Sequence, residues 1–244
     1  MSISWTRVGA IFRKELRDYR RNRFVIVFTM TVLPLIFIIV PIVELFTIKA
    51  SISSSRLNTR IGLSLLYMLL IPAIVPSALA AYSVVGERDQ GTLEPVLTTP
   101  ISSEEFLLGK AGAALVPTLI IAYVMYGIFL LTAAIFAQPG IRSGVFQGSH
   151  LLVQLLFTPL LAGWSIWVGM AISTRSSDVR AAQQLGTFAS LPPLAIVALM
   201  ATNVITPTLG LALAFGAALL IVDALGWRAV AGMFNRERLI AGRR

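Results

Sequence analysis

The sequence predicts an all-α, polytopic membrane protein of about six transmembrane helices plus an N-terminal amphipathic interfacial helix, and three observations carry that prediction. Only 13% of the 244 residues are charged, against 57% hydrophobic, whereas a soluble domain carries roughly 25% charged residues. So much apolar surface does not fit inside one soluble core. The apolar residues gather in runs of about 20, the length that crosses a hydrocarbon core at about 1.5 Å per residue. Lysine and arginine are also distributed unevenly between alternate loops, as in a chain threaded through a bilayer.

Residues 1–23 read as a cytoplasmic interfacial helix. Trp5, Val8, Phe12, Leu16 and Tyr19 recur at spacings of three and four, with Arg7, Arg13, Lys14, Arg17, Arg20, Arg21 and Arg23 largely between them. That pattern places a basic side against anionic headgroups and an apolar side at the acyl boundary. The following apolar run is longer than a signal-peptide core and lacks a clean small-residue cleavage site, so it reads as a retained anchor.

A transmembrane domain follows over residues 24–227, with spans at 24–45, 61–85, 111–137, 151–172, 186–205 and 208–227. Pro192 and Pro193 kink the fifth or open it into a partly re-entrant segment; lipid-embedded helices tolerate proline where neighbours satisfy the freed carbonyls. Residues 228–244 form a basic tail. The segments before span one, between two and three, between four and five, and after six hold 16 of the 20 Lys and Arg residues. The richer side is cytoplasmic, so the chain is expected in the inner membrane with both termini on its cytoplasmic side.

The longest cytoplasmic connection, 86–110, reads GERDQGTLEPVLTTPISSEEFLLGK and holds five of the eleven acidic residues. Gly91 can terminate the helix before it. Thr92 can cap a short helix with Glu94 and Pro95 in its first turn. Leu93, Val96 and Leu97 share one face of that helix, and Pro100 stops it. Ser102 and Glu105 form an S-x-x-E capping box that starts the re-entry helix. The exposed stripe either docks in a partner's groove or packs on its own membrane domain.

The stretch from Glu87 to Lys110, with G-T-L-E, P-I-S and L-L-G-K, resembles the cytoplasmic loop of ABC-2-type transporter permeases. Glu87, Gly91, Thr92, Leu93, Glu94, Pro100, Gly109 and Lys110 match the family pattern. The resemblance implies a permease subunit of an ATP-driven exporter that couples ATP hydrolysis in a separate nucleotide-binding subunit to substrate movement. It also implies that 92–98 is the coupling helix, with Val96 and Leu97 on the contact face, and that the N-terminal helix is the family's connecting helix. A second permease copy or a paralogue completes the pathway. Cofactors are expected only in the partner, as ATP and Mg. The first outer loop is about 15 residues and the last is nearly absent, which departs from relatives with a folded outer segment.

Nothing in the chain reads as catalytic. No G-x-x-x-x-G-K-S/T motif occurs, there is no cysteine, and no acidic or histidine cluster has metal-ligand spacing. A net charge of +9 concentrated beside apolar runs points to lipid headgroups rather than nucleic acid. His150, the sole histidine, reads as an interfacial polar residue. Glu44 and Asp223 fall near span ends. Gln183, Gln184, Thr187 and Ser190 are candidates to line a pathway or to bond between helices. The alternative to the exporter is a stand-alone secondary carrier, or a membrane anchor or scaffold for a cytoplasmic complex. The substrate is open; short outer loops and an apolar interior fit drugs, lipids or small amphipathic molecules.

Overall fold

Among the described residues, six helical segments are long and apolar enough to cross a membrane. The computed structural model describes residues 3–48, 53–89, 91, 101–202, 204–205 and 208–233. Among these it is 89% helical, with no strands.

Helix α1 (Trp5–Arg21) buries Val8, Ile11, Glu15 and Tyr19, which lie three or four apart on one stripe. Arg20 and Arg21 in its last turn complement the helix dipole. The first span begins as wide π turns (Phe24–Val32) and continues as α2 (Leu33–Thr47). The Leu33 N–H reaches back five residues to Phe28, and the Thr31 hydroxyl donates to the Ile26 carbonyl at 2.9 Å. The handover falls just before Pro34, which cannot donate to the carbonyl four residues back.

The second span joins α3 (Ser54–Ala81) to α4 (Val85–Asp89). Gly91 follows at φ 66, the left-handed conformation that ends helices and favours glycine. Helix α5 (Ser103–Phe136) runs unbroken from the capping box through the third span. A short α6 (Pro139–Val145) leads into α7 (Gly148–Arg175). The fifth span comprises α8 (Val179–Ala189) and α9 (Leu191–Ala201), and the sixth is α10 (Leu209–Met233).

Several boundaries differ from the sequence reading: the second span covers Ser54–Asp89 rather than 61–85, and the third starts at Ser103 rather than 111. The fifth span starts at Val179 rather than 186, because Gln183 and Gln184 continue the helix despite their polarity. The sixth runs on to Met233, so Asp223 stands ten residues before the helix end rather than close to it. The fifth span stays one span because Pro192 and Pro193 occupy the first turn of α9, where a missing N–H costs no bond within α9 itself.

The bundle is organised around α3 and α7. Helices α2 and α5 flank α3, α8 and α9 pack across α3, and α10 leans on α7. Small residues let the central pair approach. The Ser165 hydroxyl donates to the Ala73 carbonyl at 2.7 Å, and the Ser173 hydroxyl to the Ala81 carbonyl at 2.6 Å. Between them, a Cβ on Gly169 would lie 2.9 Å from the Ala80 Cβ and 3.0 Å from the Ser77 carbonyl oxygen. The pair thus runs parallel with one small residue every four positions, a packing suited to lipid, where close contact and interhelical hydrogen bonds replace the hydrophobic drive.

The proline in α9 is also matched by a neighbour. Pro193 has no N–H for the Ala189 carbonyl, and the Trp164 indole N–H donates to that oxygen at 3.0 Å.

Candidate functional site

The best-built polar site lies where α1 crosses the end of the second span and the start of the third. Helix α3 ends in tightened turns, with Tyr82 and Ser83 N–H bonded to the Leu79 and Ala80 carbonyls. That leaves the Val84 and Val85 N–H groups facing α7. The Ser173 oxygen accepts from both, each at 3.1 Å, while its hydroxyl serves the Ala81 carbonyl. One serine thereby uses its full capacity of one donor and two acceptors. It holds the elbow that aims α4.

Glu87 on α4 is 4% exposed, Lys110 on α5 is 3%, and Glu15 on α1 is 7%. The Lys110 ammonium lies 2.8 Å from Glu15 Oε1 and 2.8 Å from Glu87 Oε1, and 5.1 Å above the Phe106 ring. Lys14, at the rim, pairs with Glu87, Glu15 and Asp18. Partial burial by itself would lower the Lys14 pKa. The hydrogen bond to Glu87 and the charges of Glu15 and Glu87 more than offset this and hold it above the ordinary lysine value. Burial pushes the Tyr19 phenol up, with the neighbouring Glu15 and Asp18 charges adding to the shift.

A second tie lies one turn away. Glu105 closes the capping box expected from sequence: its Oε2 accepts from Ser102 N–H at 2.9 Å, and Glu105 N–H donates to the Ser102 hydroxyl at 3.2 Å. Its other oxygen accepts from Ser4 N–H at 2.8 Å and pairs with Arg7 at 3.2 Å. The carboxylate that caps α5 therefore also anchors the start of α1. Between the two ties, a Cβ on Gly109 would sit 2.6 Å from the Ile11 Cβ and 3.1 Å from the Val8 carbonyl oxygen. Only glycine lets the two helices cross this closely.

Of the loop residues singled out in sequence, Glu87, Gly91, Gly109 and Lys110 thus have definite places: two in the charge cluster, one ending a helix, one at the crossing. Thr92, Leu93, Glu94, Val96, Leu97 and Pro100 lie outside the described residues. On α1, Phe12 is half-buried against the core, while Arg13, Lys14, Arg17 and Arg20 are exposed. Trp5 is 74% exposed. Most of the apolar stripe is buried against the bundle itself.

Sequence reasoning missed Glu15, whose signal is its spacing: it stands four residues from both Ile11 and Tyr19 on the buried stripe. Among the pathway candidates, Gln184 is exposed, Gln183 and Thr187 are half-buried, and Ser190 is buried with its hydroxyl donating to the Gly186 carbonyl at 2.7 Å. None of the four lines the cavity of about 270 Å³ at the opposite end of the bundle, between α3, α7, α9 and α10.

A bundle of six apolar helices with a basic amphipathic helix clamped to the arms of the 86–110 connection has the architecture of an integral membrane protein. Residues 9–213 match the family described as ABC-2 family transporter protein. The chain belongs to that family: it is an integral membrane protein and a permease subunit of an ABC transporter. No curated protein matches it. Membership implies association with an ABC ATPase subunit.

Proposed function

We propose that this permease is the membrane half of an exporter in the cytoplasmic membrane, with both termini cytoplasmic, and that it converts ATP hydrolysis in a separate subunit into movement of its spans. ATP and Mg bind in that partner. Two permease copies, or this chain and a paralogue, enclose the pathway, and the exposed arginines of α1 face anionic headgroups.

The observation that carries this reading is the double clamp on the loop. Lys110 ties the two arms of the 86–110 connection to each other and to α1, and Glu105 ties the second arm to the first turn of α1. A loop whose arms are fixed at their base transmits a push on its tip to both spans together, as coupling requires. A loop that only closed the chain would gain nothing from two buried carboxylates, since burying charge is expensive unless it is paired.

Replacing Leu93 and Leu97 together with Asp tests the assignment. The variant should insert normally but lose its ATPase subunit in a pull-down, because two carboxylates cannot be desolvated in an apolar groove. Undiminished co-purification would overturn the role assigned to 92–98.

A further inference from the structure

The cavity at the end of the bundle opposite α1 is graded in polarity. Its mouth holds Asn58, Gln147, Ser149, His150 and Thr208, from the opening turns of α3, α7 and α10 or just ahead of them. One to three turns deeper the lining becomes Leu65, Leu69, Phe157, Val197 and Ala212. Among the described residues, none that lines it is Asp, Glu, Lys or Arg. The Gly62 backbone closes one wall against α9, where a Cβ would lie 2.8 Å from the Ala201 carbonyl oxygen.

We propose that this cavity binds a single-chain amphiphile with an uncharged, hydrogen-bonding head such as glycerol or a sugar, the chain entering between α3, α7 and α9. Three features select that class. The deep lining offers only apolar contact, which suits an alkyl chain. The mouth offers both donors and acceptors and, among the described residues, no Asp, Glu, Lys or Arg, so an ionic head would lack a carboxylate, ammonium or guanidinium partner, a cost that a hydroxylated head avoids. The volume of about 270 Å³ falls just below the roughly 300–1,000 Å³ of pockets for drug-sized ligands, which suits a ligand with one chain rather than two. Binding at this site stands on the cavity alone. That the amphiphile is cargo rests on the exporter reading.

The test uses a monoacylglycerol carrying a photoreactive diazirine near the end of its chain, added to the purified full-length permease in lipid nanodiscs without nucleotide. Labelling should saturate, should map to the peptides holding Leu65–Leu69 and Phe157, and should be displaced by dodecyl maltoside but not by dodecyltrimethylammonium. Val153→Trp, which fills the cavity from α7, should weaken labelling roughly tenfold. Leu131→Trp, on an exposed face of α5, should leave it unchanged. If Val153→Trp is not recovered as monodisperse protein, Leu66→Trp fills the cavity from α3 and replaces it.

Labelling that does not saturate, or that persists undiminished in the filled variant, overturns the site and leaves the permease assignment standing. A glycerol- or sugar-headed lipid carried through purification by the wild type and absent from the filled variant identifies a resident membrane lipid. Saturable labelling together with stimulated ATP turnover in the complete transporter identifies a transported amphiphile.

Discussion

Lys110 on α5 and Glu87 on α4, 23 positions apart in the chain, meet at 2.8 Å, and Glu15 of α1 lies equally close to the same ammonium. One lysine thus bridges two carboxylates from two different elements, and Lys14 at the rim supplies the second positive charge. Removing it leaves both acids buried, which costs far more than removing the whole cluster. Lys110→Met is expected to lose about 3–5 kcal/mol, or roughly 6–20 °C in apparent melting temperature, measured by thermal-shift size-exclusion chromatography in detergent. Adding Glu15→Gln and Glu87→Gln should restore most of the loss. The contribution of Lys14 follows the opposite limit of pH: its folded pKa is raised, so its share is fully present below the ordinary value of 10.5 and is lost only as pH rises through the folded value.

The crossing at Gly109 gives a second prediction, and the chain's lack of cysteine makes it clean to read. Gly109→Val places atoms where the Ile11 side chain and the Val8 backbone already stand, an overpacking worth about 1–3 kcal/mol. A Val8→Cys reporter, buried in the docked helix, should be slow to react with a membrane-impermeant maleimide in the otherwise native chain and fast in the Gly109→Val background. Equal rates in the two backgrounds would show that α1 does not depend on this crossing.

The Trp164–Ala189 hydrogen bond gives a third. Trp164→Phe strips the half-buried carbonyl that Pro193 cannot serve, which costs part of the roughly 1–3 kcal/mol of a fully buried unsatisfied acceptor. Pro193→Ala supplies an N–H from within the helix. The two changes should therefore couple, with Trp164→Phe costing clearly less in the Pro193→Ala background, by a difference of about 0.5–3 kcal/mol in a double-mutant cycle. Strict additivity would mean that the indole contributes packing alone.

Much of this was legible in the residues themselves. The S-x-x-E box at Ser102 and Glu105 specified its own hydrogen bonds because both partners lie within one turn. Gly91 marked a helix end because few other residues adopt its φ. The same four-residue spacing that joins Ala73, Ser77 and Ala81 to Ser165, Gly169 and Ser173 was present in the sequence, but spacing on one helix does not name the partner helix. Asp223 was misplaced because hydropathy falls off at Arg228 while the backbone ladder continues to Met233. Trp5 counts as apolar in any periodicity, and only its surroundings show that it is exposed.

The sequence alone determined the bilayer as solvent, the number of spans, the amphipathic helix and the capping box at the head of α5, because these follow from hydrophobic length and periodicity and from hydrogen bonds that close within a turn. Tertiary structure alone decided that Glu15 belongs to the buried face of α1, that Lys110 bridges two elements, and that Ser173 completes the elbow before α4. Those pairings join residues 23 to 95 positions apart. Nothing local fixes such distances; they exist only once the α3–α7 pair has packed and set where each helix end can stand.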